Sequence, residues 1–184
     1  MIVGIDEVGR GCWAGPLVAG AVALEQPITG LNDSKVLSKK RREQLDAHIR
    51  VEAAAFGLGW VTPVEIDEHG LTVAVQLAME RALAAIEATY DEVVIDGSVN
   101  FLSGNPLARA EVKADATVPA VSAASILAKV ARDRYMSDIA LQFPGYGFDK
   151  HVGYGVRAHA LALQQLGACE LHRRSFKPVQ AVLA

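Results

Sequence analysis

Short apolar runs alternate with longer segments of helical periodicity along this chain of 184 residues. The apolar runs are bounded by glycine, proline or charged residues, as β-strands usually are, and we place strands at residues 1–7, 16–24, 51–61 and 92–96. Ser38 is a favoured helix N-cap and Pro63 suits a first helical turn. The remaining periodicity predicts helices at residues 39–49, in a short piece from 63, and at 72–88, 122–142 and 157–166. The order of these elements indicates an α/β fold with a mixed sheet flanked by helices.

Two adjacent acids, Asp6 and Glu7, close the first predicted strand and run into the glycine-rich segment Gly9–Gly15. A buried strand is an unfavourable place for an unpaired carboxylate, because burial disfavours the charged form. A divalent cation is a natural compensating partner, since such ions prefer oxygen ligands. Taken alone, however, the pair is better explained by an exposed strand end that leads into a turn.

Two further acids lie in related contexts. Asp96 ends the apolar run 92–96, and the crevice beyond the ends of adjacent parallel strands is where α/β folds place their sites. Asp115 directly precedes a strongly helical segment, where the positive end of the helix dipole favours an aspartate in any case. The sequence therefore predicts that Asp6 and Asp96 lie on adjacent parallel strands, whereas Asp115 alone is better explained as an exposed residue.

The helix predicted from residue 122 carries its polar residues on one narrow face. They recur at i, i+3, i+7 and i+10, and they are Ser122, Ser125, Lys129 and Arg132. Hydroxyls followed by cations, without the mixed acids of an ordinary solvated face, suggest a surface that faces a phosphate backbone. An ordinary amphipathic surface helix is the alternative.

Composition and charge narrow the class of protein. The chain is 51% apolar, which argues against disorder, and its length fits a single domain over residues 1–184. No apolar run approaches the roughly 20 residues of a membrane span, and neither a signal peptide nor a disulfide framework is indicated, so we expect a cytoplasmic protein. The net charge is −3, but bases outnumber acids 10 to 6 in residues 101–184 and acids outnumber bases 15 to 8 in residues 1–100. This distribution fits an enzyme with an acidic site and a modest basic surface.

A series of short motifs makes the chain resemble the type 2 ribonuclease H family, ribonuclease HII. They follow one another in the family's order from residue 2 to about residue 179, and together they are specific. The motifs are Asp6–Gly11, Trp13–Pro16, Asp33–Lys35, Ile95–Gly97, Lys113–Asp115, Ser122–Asp133, His151–Gly155 and His172–Phe176. The chain departs from the family pattern at Cys12, Val36 and Val156, none of which removes an acid.

The resemblance implies a ribonuclease H-like fold with a five-stranded mixed sheet, and a helical, substrate-binding extension over roughly the last 40 residues. It also implies two Mg²⁺ or Mn²⁺ ions, which stabilise the attacking and leaving oxygens of a phosphodiester. The implied catalytic and metal-binding set is Asp6, Glu7, Asp96 and Asp115. The implied enzyme is an endonuclease that hydrolyses the RNA strand of RNA/DNA hybrids and nicks 5′ of single ribonucleotides in duplex DNA, leaving 3′-hydroxyl and 5′-phosphate ends. Its roles would be ribonucleotide removal from DNA and RNA primer removal.

Recognition of such substrates requires a sensor for the 2′-hydroxyl, which distinguishes RNA from DNA. The family uses the motif Gly9-Arg10-Gly11 together with a tyrosine, which matches Tyr154 and would stack on the deoxyribose beyond the scissile phosphate. Without the resemblance, Tyr154 is better explained as a core or loop tyrosine with a satisfied hydroxyl. The implied partners are RNA/DNA hybrids and duplex DNA that contains ribonucleotides.

Several residues keep more than one interpretation. Ser34 and Lys35 are candidate phosphate contacts, or they belong to a simple turn. His151 and His172 lie in matching motifs, where a structural role is as well supported as a phosphate-facing one. The tail 179–184 lacks the paired aromatics of a clamp-binding peptide, so no such peptide is evident.

Other classes of protein fit the sequence less well. A phosphate loop would end in Gly-Lys-Ser or Gly-Lys-Thr, and the segment Gly9–Gly15 does not. A glycosidase also uses paired carboxylates, but only 6% of this chain is aromatic. The principal alternative is a non-catalytic or differently specific nucleic-acid-binding protein of ribonuclease H-like fold, which would be expected to lack one or more of the four acids.

Overall fold

A five-stranded mixed sheet forms the centre of the computed structural model, which describes residues 1–31 and 36–183. The strands are β1 (Ile2–Val8), β2 (Leu17–Leu24), β3 (Ala55–Val61), β4 (Glu92–Asp96) and β5 (Ala108–Glu111). They lie in the order β3-β2-β1-β4-β5. The central strand β1 pairs antiparallel with β2 and parallel with β4, so the predicted mixed sheet is confirmed. Ser34 and Lys35 lie outside the described residues.

Helices cover both faces of this sheet. Within the described residues they are α1 (Lys39–Glu52), α2 (Pro63–His69), α3 (Leu71–Ala84), α4 (Ala114–Thr117), α5 (Pro119–Ile139), α6 (Phe148–His151), α7 (Arg157–Leu166) and α8 (Lys177–Leu183). One core group joins the sheet to α2 and α3, and a second joins it to α1 and α5. Every residue of β2 is buried because both of its faces are covered, which explains its unbroken apolar sequence.

Close contact between helices and sheet depends on glycine at two strand positions. A Cβ atom on Gly4 in β1 would lie 2.1 Å from the backbone of Ala120 in α5. A Cβ atom on Gly59 in β3 would lie 1.8 Å from the carbonyl oxygen of Ala78 in α3. Any larger residue would therefore push the helix away from the sheet. Because Gly4 lies just before Asp6, its packing also sets how closely α5 approaches the acidic end of β1.

The predicted elements agree with the structure in type and differ mainly at their boundaries. Strands β1 and β2 begin one residue later than predicted, and β4 and α7 have the predicted bounds. Ser38 caps α1 as expected, because its hydroxyl accepts a hydrogen bond from the backbone N–H of Arg41. The prediction of a strand from residue 51 was wrong at its start, since α1 continues to Glu52. The sequence analysis placed no strand at β5, which is short and lies at the sheet edge.

The C-terminal part of the chain forms a small helical unit beside the sheet. A third core group joins it to the loop after β1 and to the end of α5, with Ala14, Met136, Tyr146, Phe148, Ala162 and Leu171 as its buried members. The described residues of this part contain the helices α6, α7 and α8, and a substrate-binding extension over the last 40 residues stays a prediction. None of the helices in residues 1–31 and 36–183 combines the length and apolar character that a membrane span requires.

Candidate active site

The parallel pairing of β1 with β4 brings two of the predicted acids to the same end of the sheet. Ile5 pairs with Ile95 in the strand register, so the residues that follow, Asp6 and Asp96, are neighbours on adjacent strands. Asp115 joins them from the first turn of α4, where its backbone nitrogen lies 3.5 Å from Oδ1 of Asp96. The structure therefore brings these three acids together, and Glu7 follows Asp6 directly in β1.

Asp6 is almost completely buried, with 7% of its surface exposed. Burial, followed by the nearby charges of Glu7 and Asp96, raises the pKa of Asp6 from 3.8 to about 7. Hydrogen bonds from the Ser125 side chain and from the backbone N–H of Glu7 act in the opposite direction. The ionised carboxylate is therefore only partly stabilised by the protein around it.

Glu7 lies at the edge of the same group of acids. Burial raises the pKa of Glu7, and the negative charge of Asp96 adds to this effect. The guanidinium of Arg10 lowers the pKa of Glu7, because its Nη1 forms an ion pair with Oε1 of Glu7 at 3.6 Å. Arg10 itself is exposed and its guanidinium also lies 5.7 Å from the ring of Phe101. Arg10 therefore supplies only partial compensation for the negative charge at this end of the sheet.

The chemistry of these donors fits hard divalent cations. The group offers carboxylate oxygens without histidine or thiolate, which is the ligand type of Mg²⁺ and Mn²⁺. Its buried carboxylates also repel one another, and a cation would relieve that repulsion. In the described parts of the chain, no three His, Cys, Asp or Glu side chains already stand in the arrangement of a metal-coordinating group. The fit therefore rests on the donor chemistry and on the uncompensated charge of Asp6.

Two buried arginines hold the loop that follows β1. The guanidinium of Arg132 donates to the carbonyl oxygens of Pro16 at 2.8 Å, Val152 at 2.8 Å and Ala14 at 3.1 Å. The guanidinium of Arg173 donates to the carbonyl oxygen of Gly15 from two nitrogens, at 3.0 and 2.9 Å.

Arg173 also reaches the carbonyl oxygen of Arg10, at 3.1 Å. It therefore fixes the middle of the motif Gly9-Arg10-Gly11 directly. Gly9 has φ +88°, and a Cβ there would lie 2.3 Å from Nε of Arg132. Any other residue at this position would therefore have a strained backbone and would collide with the Arg132 side chain. Gly11 is exposed, and its backbone is open to solvent beside the acids.

The interpretation of Arg132 as a phosphate-facing residue was wrong. Its side chain has no exposed surface, and carbonyl oxygens of the loop occupy its nitrogens. The helical spacing did place it on the same face of α5 as Lys129, but the loop after β1 covers that face. Arg132 therefore positions the loop rather than a substrate phosphate.

The other members of that helix face differ in their surroundings. Ser122 and Ser125 are buried, and Ser125 hydrogen-bonds to Asp6, which places it next to the acids rather than on an open surface. Lys129 is partly exposed and forms an ion pair with Asp133 at 2.8 Å. A contact between Lys129 and a phosphate stays a prediction, as does a direct substrate contact for the two serines.

Tyr154 lies beside the glycine-rich loop with 37% of its surface exposed. The Lys129 ammonium lies 5.6 Å from the centroid of its ring and the Arg132 guanidinium 5.9 Å from it. Burial, together with the nearby buried thiol of Cys12, raises the pKa of the Tyr154 hydroxyl, while the thiol itself donates to the carbonyl oxygen of Val152 at 3.8 Å. Tyr154 is thus a partly exposed aromatic ring with two cations and the Cys12 thiol near it, close to the Gly9–Gly15 segment.

Sequence reasoning missed two contributions to this site. It gave Arg173 no individual role, although the residue anchors the loop, because a basic residue in a short motif carries no sign of burial. It also left the histidines undecided, and the structure places His159 and His172 in the interior. The apolar residues next to these histidines in the sequence indicate that the histidines are buried, but they do not reveal which side chains meet.

A family model described as Ribonuclease HII matches residues 3–179. A protein of Halorhodospira halophila named Ribonuclease HII is 49% identical over 184 residues, which cover 99% of this chain and 94% of that protein.

Two solved structures share the fold at 28% identity. One is the ribonuclease H2 of Pyrococcus horikoshii OT3, with a TM-score of 0.81 over 98% of this chain and 96% of that one. The other comes from the PCNA:RNase HII complex of Archaeoglobus fulgidus, with a TM-score of 0.83 over 100% and 97%. Both similarities extend over nearly the whole chain, so the described residues have the fold of these proteins.

Proposed function

Because the chain belongs to the ribonuclease HII family, a group of hydrolases that act on RNA in RNA/DNA hybrids, we propose that it also nicks duplex DNA 5′ of a single embedded ribonucleotide. The proposed cellular roles are the removal of ribonucleotides from DNA and of RNA primers, and the proposed location is the cytoplasm. Contact with a replication clamp, as in the Archaeoglobus fulgidus complex, is not part of the proposal.

The observation that carries the proposed chemistry is the meeting of buried and half-buried acids at the ends of β1 and β4. Asp6 and Asp96 would hold divalent cations, with Glu7 and Asp115 completing the set of oxygen donors. Bound cations would supply an activated water and would stabilise the negative charge of the transition state and of the leaving oxygen. Hydrolysis of this kind yields 3′-hydroxyl and 5′-phosphate ends.

The protein's own contribution is to hold the acids and the glycine-rich loop in place. Ser125 and the backbone N–H of Glu7 orient the carboxylate of Asp6. Arg132 and Arg173 hold the glycine-rich loop next to the acids. The exposed backbone of that loop is the proposed reader of the 2′-hydroxyl, since backbone groups at a glycine can approach a sugar closely.

Tyr154 is the proposed reader of the deoxyribose that follows the ribonucleotide. Its ring is partly exposed at the surface, and Lys129 and Arg132 lie against it. A single ribonucleotide offers one 2′-hydroxyl, so a local sensor has to recognise the junction without help from neighbouring ribonucleotides. In a long hybrid many binding registers are available, and the same contact matters less.

Replacing Tyr154 with alanine is therefore expected to change selectivity. Base–aromatic stacking contributes about 1–3 kcal/mol per base in complexes with single-stranded nucleic acids. For a ring that packs on a deoxyribose we expect the lower part of this range, so nicking at a lone ribonucleotide should fall roughly tenfold while hybrid cleavage changes by about twofold or less. The measurement is the ratio of the two kcat/KM values, with Tyr154→Phe as a control that keeps the ring. Equal losses on both substrates would assign Tyr154 to general binding or folding instead.

A further inference from the structure

Three histidines of the C-terminal unit meet in a cluster for which the proposed chemistry has no use. The rings of His151 and His159 are stacked with centroids 4.5 Å apart, and Nε2 of His159 lies 3.1 Å from Nε2 of His172. His159 and His172 are 0% and 1% exposed. Such deeply buried imidazoles need defined hydrogen-bond partners, because an unsatisfied ring nitrogen is costly in the interior.

The hydrogen-bond partners of these rings fix where each proton lies. Nδ1 of His159 is 2.9 Å from the carbonyl oxygen of Tyr154, and a carbonyl only accepts, so this nitrogen carries a proton. In the neutral ring Nε2 of His159 is then an acceptor, and Nε2 of His172 must donate to it. Nδ1 of His172 is left as an acceptor, and the backbone N–H of Cys169 donates to it at 3.0 Å.

The result is a directed chain of hydrogen bonds that ends on Tyr154. It runs from the N–H of Cys169 through His172 and His159 to the Tyr154 carbonyl oxygen, and every member donates in the same direction. Both rings are neutral in this arrangement. Burial lowers the pKa of His159, and burial with the neighbouring His159 lowers the pKa of His172 to about 4. The chain therefore stays intact at neutral pH.

The backbone of Tyr154 is held on its other side as well. Its N–H donates to the carbonyl oxygen of His151 at 2.9 Å. The following residues Gly155 and Val156 are exposed, so the segment is a surface loop, and ordering such a loop costs conformational entropy. The fixed backbone places the partly exposed ring of Tyr154 against Lys129 and Arg132.

We infer that His159, oriented by His172, is a positioning residue that holds Tyr154 in the conformation used to recognise a ribonucleotide junction. The inference rests on the role proposed above for Tyr154. It predicts that the required feature of His159 is a donor at Nδ1, and that the required feature of His172 is a donor at Nε2. Variants that keep or lose each donor can therefore be distinguished from variants that only reduce the size of the side chain.

Asparagine and glutamine mimic different imidazole nitrogens. The amide nitrogen of asparagine takes about the place of Nδ1, whereas that of glutamine reaches about the place of Nε2. At position 159, the asparagine variant His159→Asn should therefore keep the hydrogen bond to the Tyr154 carbonyl oxygen, and His159→Gln should lose it. At position 172, the glutamine variant His172→Gln should keep the donor to Nε2 of His159, and His172→Asn should lose it. The preferred amide is opposite at the two positions, so a loss of packing volume alone does not produce this pattern.

The first readout is the ratio of kcat/KM for nicking at a lone ribonucleotide to kcat/KM for hybrid cleavage. His159→Gln and His172→Asn should lower this ratio roughly fivefold, as expected for the loss of one hydrogen bond of about 1 kcal/mol. Their partners His159→Asn and His172→Gln should keep it within about twofold of wild type, by the same reasoning. Either substitution should add nothing in a Tyr154→Ala background, because the positioned ring is then absent.

The second readout reports the position of Tyr154 without reference to activity. 3-Fluorotyrosine incorporated at position 154 gives one ¹⁹F resonance, which should broaden or shift in His159→Gln and His172→Asn and stay as in wild type in the other two variants. An unchanged resonance in His159→Gln, or equal effects of asparagine and glutamine at both positions, would overturn the inference. If the resonance responds as expected but Tyr154→Ala leaves the selectivity ratio unchanged, the positioning role stands and the junction role of Tyr154 is wrong.

Discussion

Asp6→Asn and Asp96→Asn are each expected to reduce cleavage of RNA/DNA hybrids by roughly 10²–10³-fold, the size of effect that follows removal of a key electrostatic group in an active site. Each substitution removes one negative oxygen donor from the acids at the ends of β1 and β4 but preserves side-chain size. The measurement is the single-turnover rate at saturating Mg²⁺, compared with Asp138→Asn, which changes an exposed carboxylate on α5. Near-normal rates in either variant would contradict the assignment of these acids.

The same substitution at Asp6 should stabilise the protein in the presence of a chelator. The pKa of Asp6 is raised from 3.8 to about 7 in the folded state, so between these pH values the folded protein binds more protons than the unfolded chain. Stability contributed by the neutral carboxyl is therefore lost as the pH rises from about 4 to about 7. One pKa unit corresponds to about 1.4 kcal/mol, so Asp6→Asn should raise the free energy of unfolding by up to roughly 4 kcal/mol at pH 7.5 and by little at pH 4.

Arg132→Ala is expected to destabilise the fold strongly. The substitution removes three hydrogen bonds from a buried cation to carbonyl oxygens of the loop after β1 and of the segment before Tyr154. Hydrogen bonds to charged groups contribute about 1.5–3 kcal/mol each, so a loss of roughly 3 kcal/mol or more in the free energy of unfolding is expected.

The measurement for Arg132 is urea denaturation, with Arg134→Ala as a matched control, since Arg134 is exposed on the same helix. The control should change stability by about 0.5 kcal/mol or less. A stable Arg132→Ala protein with weaker, less salt-dependent binding of hybrids would instead restore the phosphate-facing interpretation of this residue.

The contrast between Asp6 and Arg132 shows what the sequence reveals about this site. Asp6 and Asp96 follow apolar runs, and parallel strands that end in acids bring those acids to one edge of the sheet, so their proximity was predictable. For Arg132 the helical period predicted the correct face of α5, but it did not predict what packs against that face. Its partner is a loop that returns from more than a hundred residues away in the sequence, and no local pattern encodes such a contact.

The boundaries and the histidine cluster illustrate the same limit. The end of α1 at Glu52 was missed because residues 50–54 contain no glycine or proline to stop the helix. Strand β5 was missed because four residues at the sheet edge give too short an alternation to recognise. The hydrogen bonds among His159, His172 and Tyr154 depend on how α7 and the segment after it fold together, which only the three-dimensional structure reveals.

If the acids at the ends of β1 and β4 act through divalent cations, cleavage must depend on those ions. A 5′-labelled RNA/DNA hybrid and a duplex with one embedded ribonucleotide would be incubated with the enzyme in Mg²⁺, in EDTA, and in EDTA followed by excess Mg²⁺. Cleavage is expected in Mg²⁺, at the 5′ side of the lone ribonucleotide and with 3′-hydroxyl and 5′-phosphate ends. It should be lost in EDTA and return when Mg²⁺ is restored. Cleavage that persists in EDTA at the wild-type rate would show that these acids do not act through divalent cations.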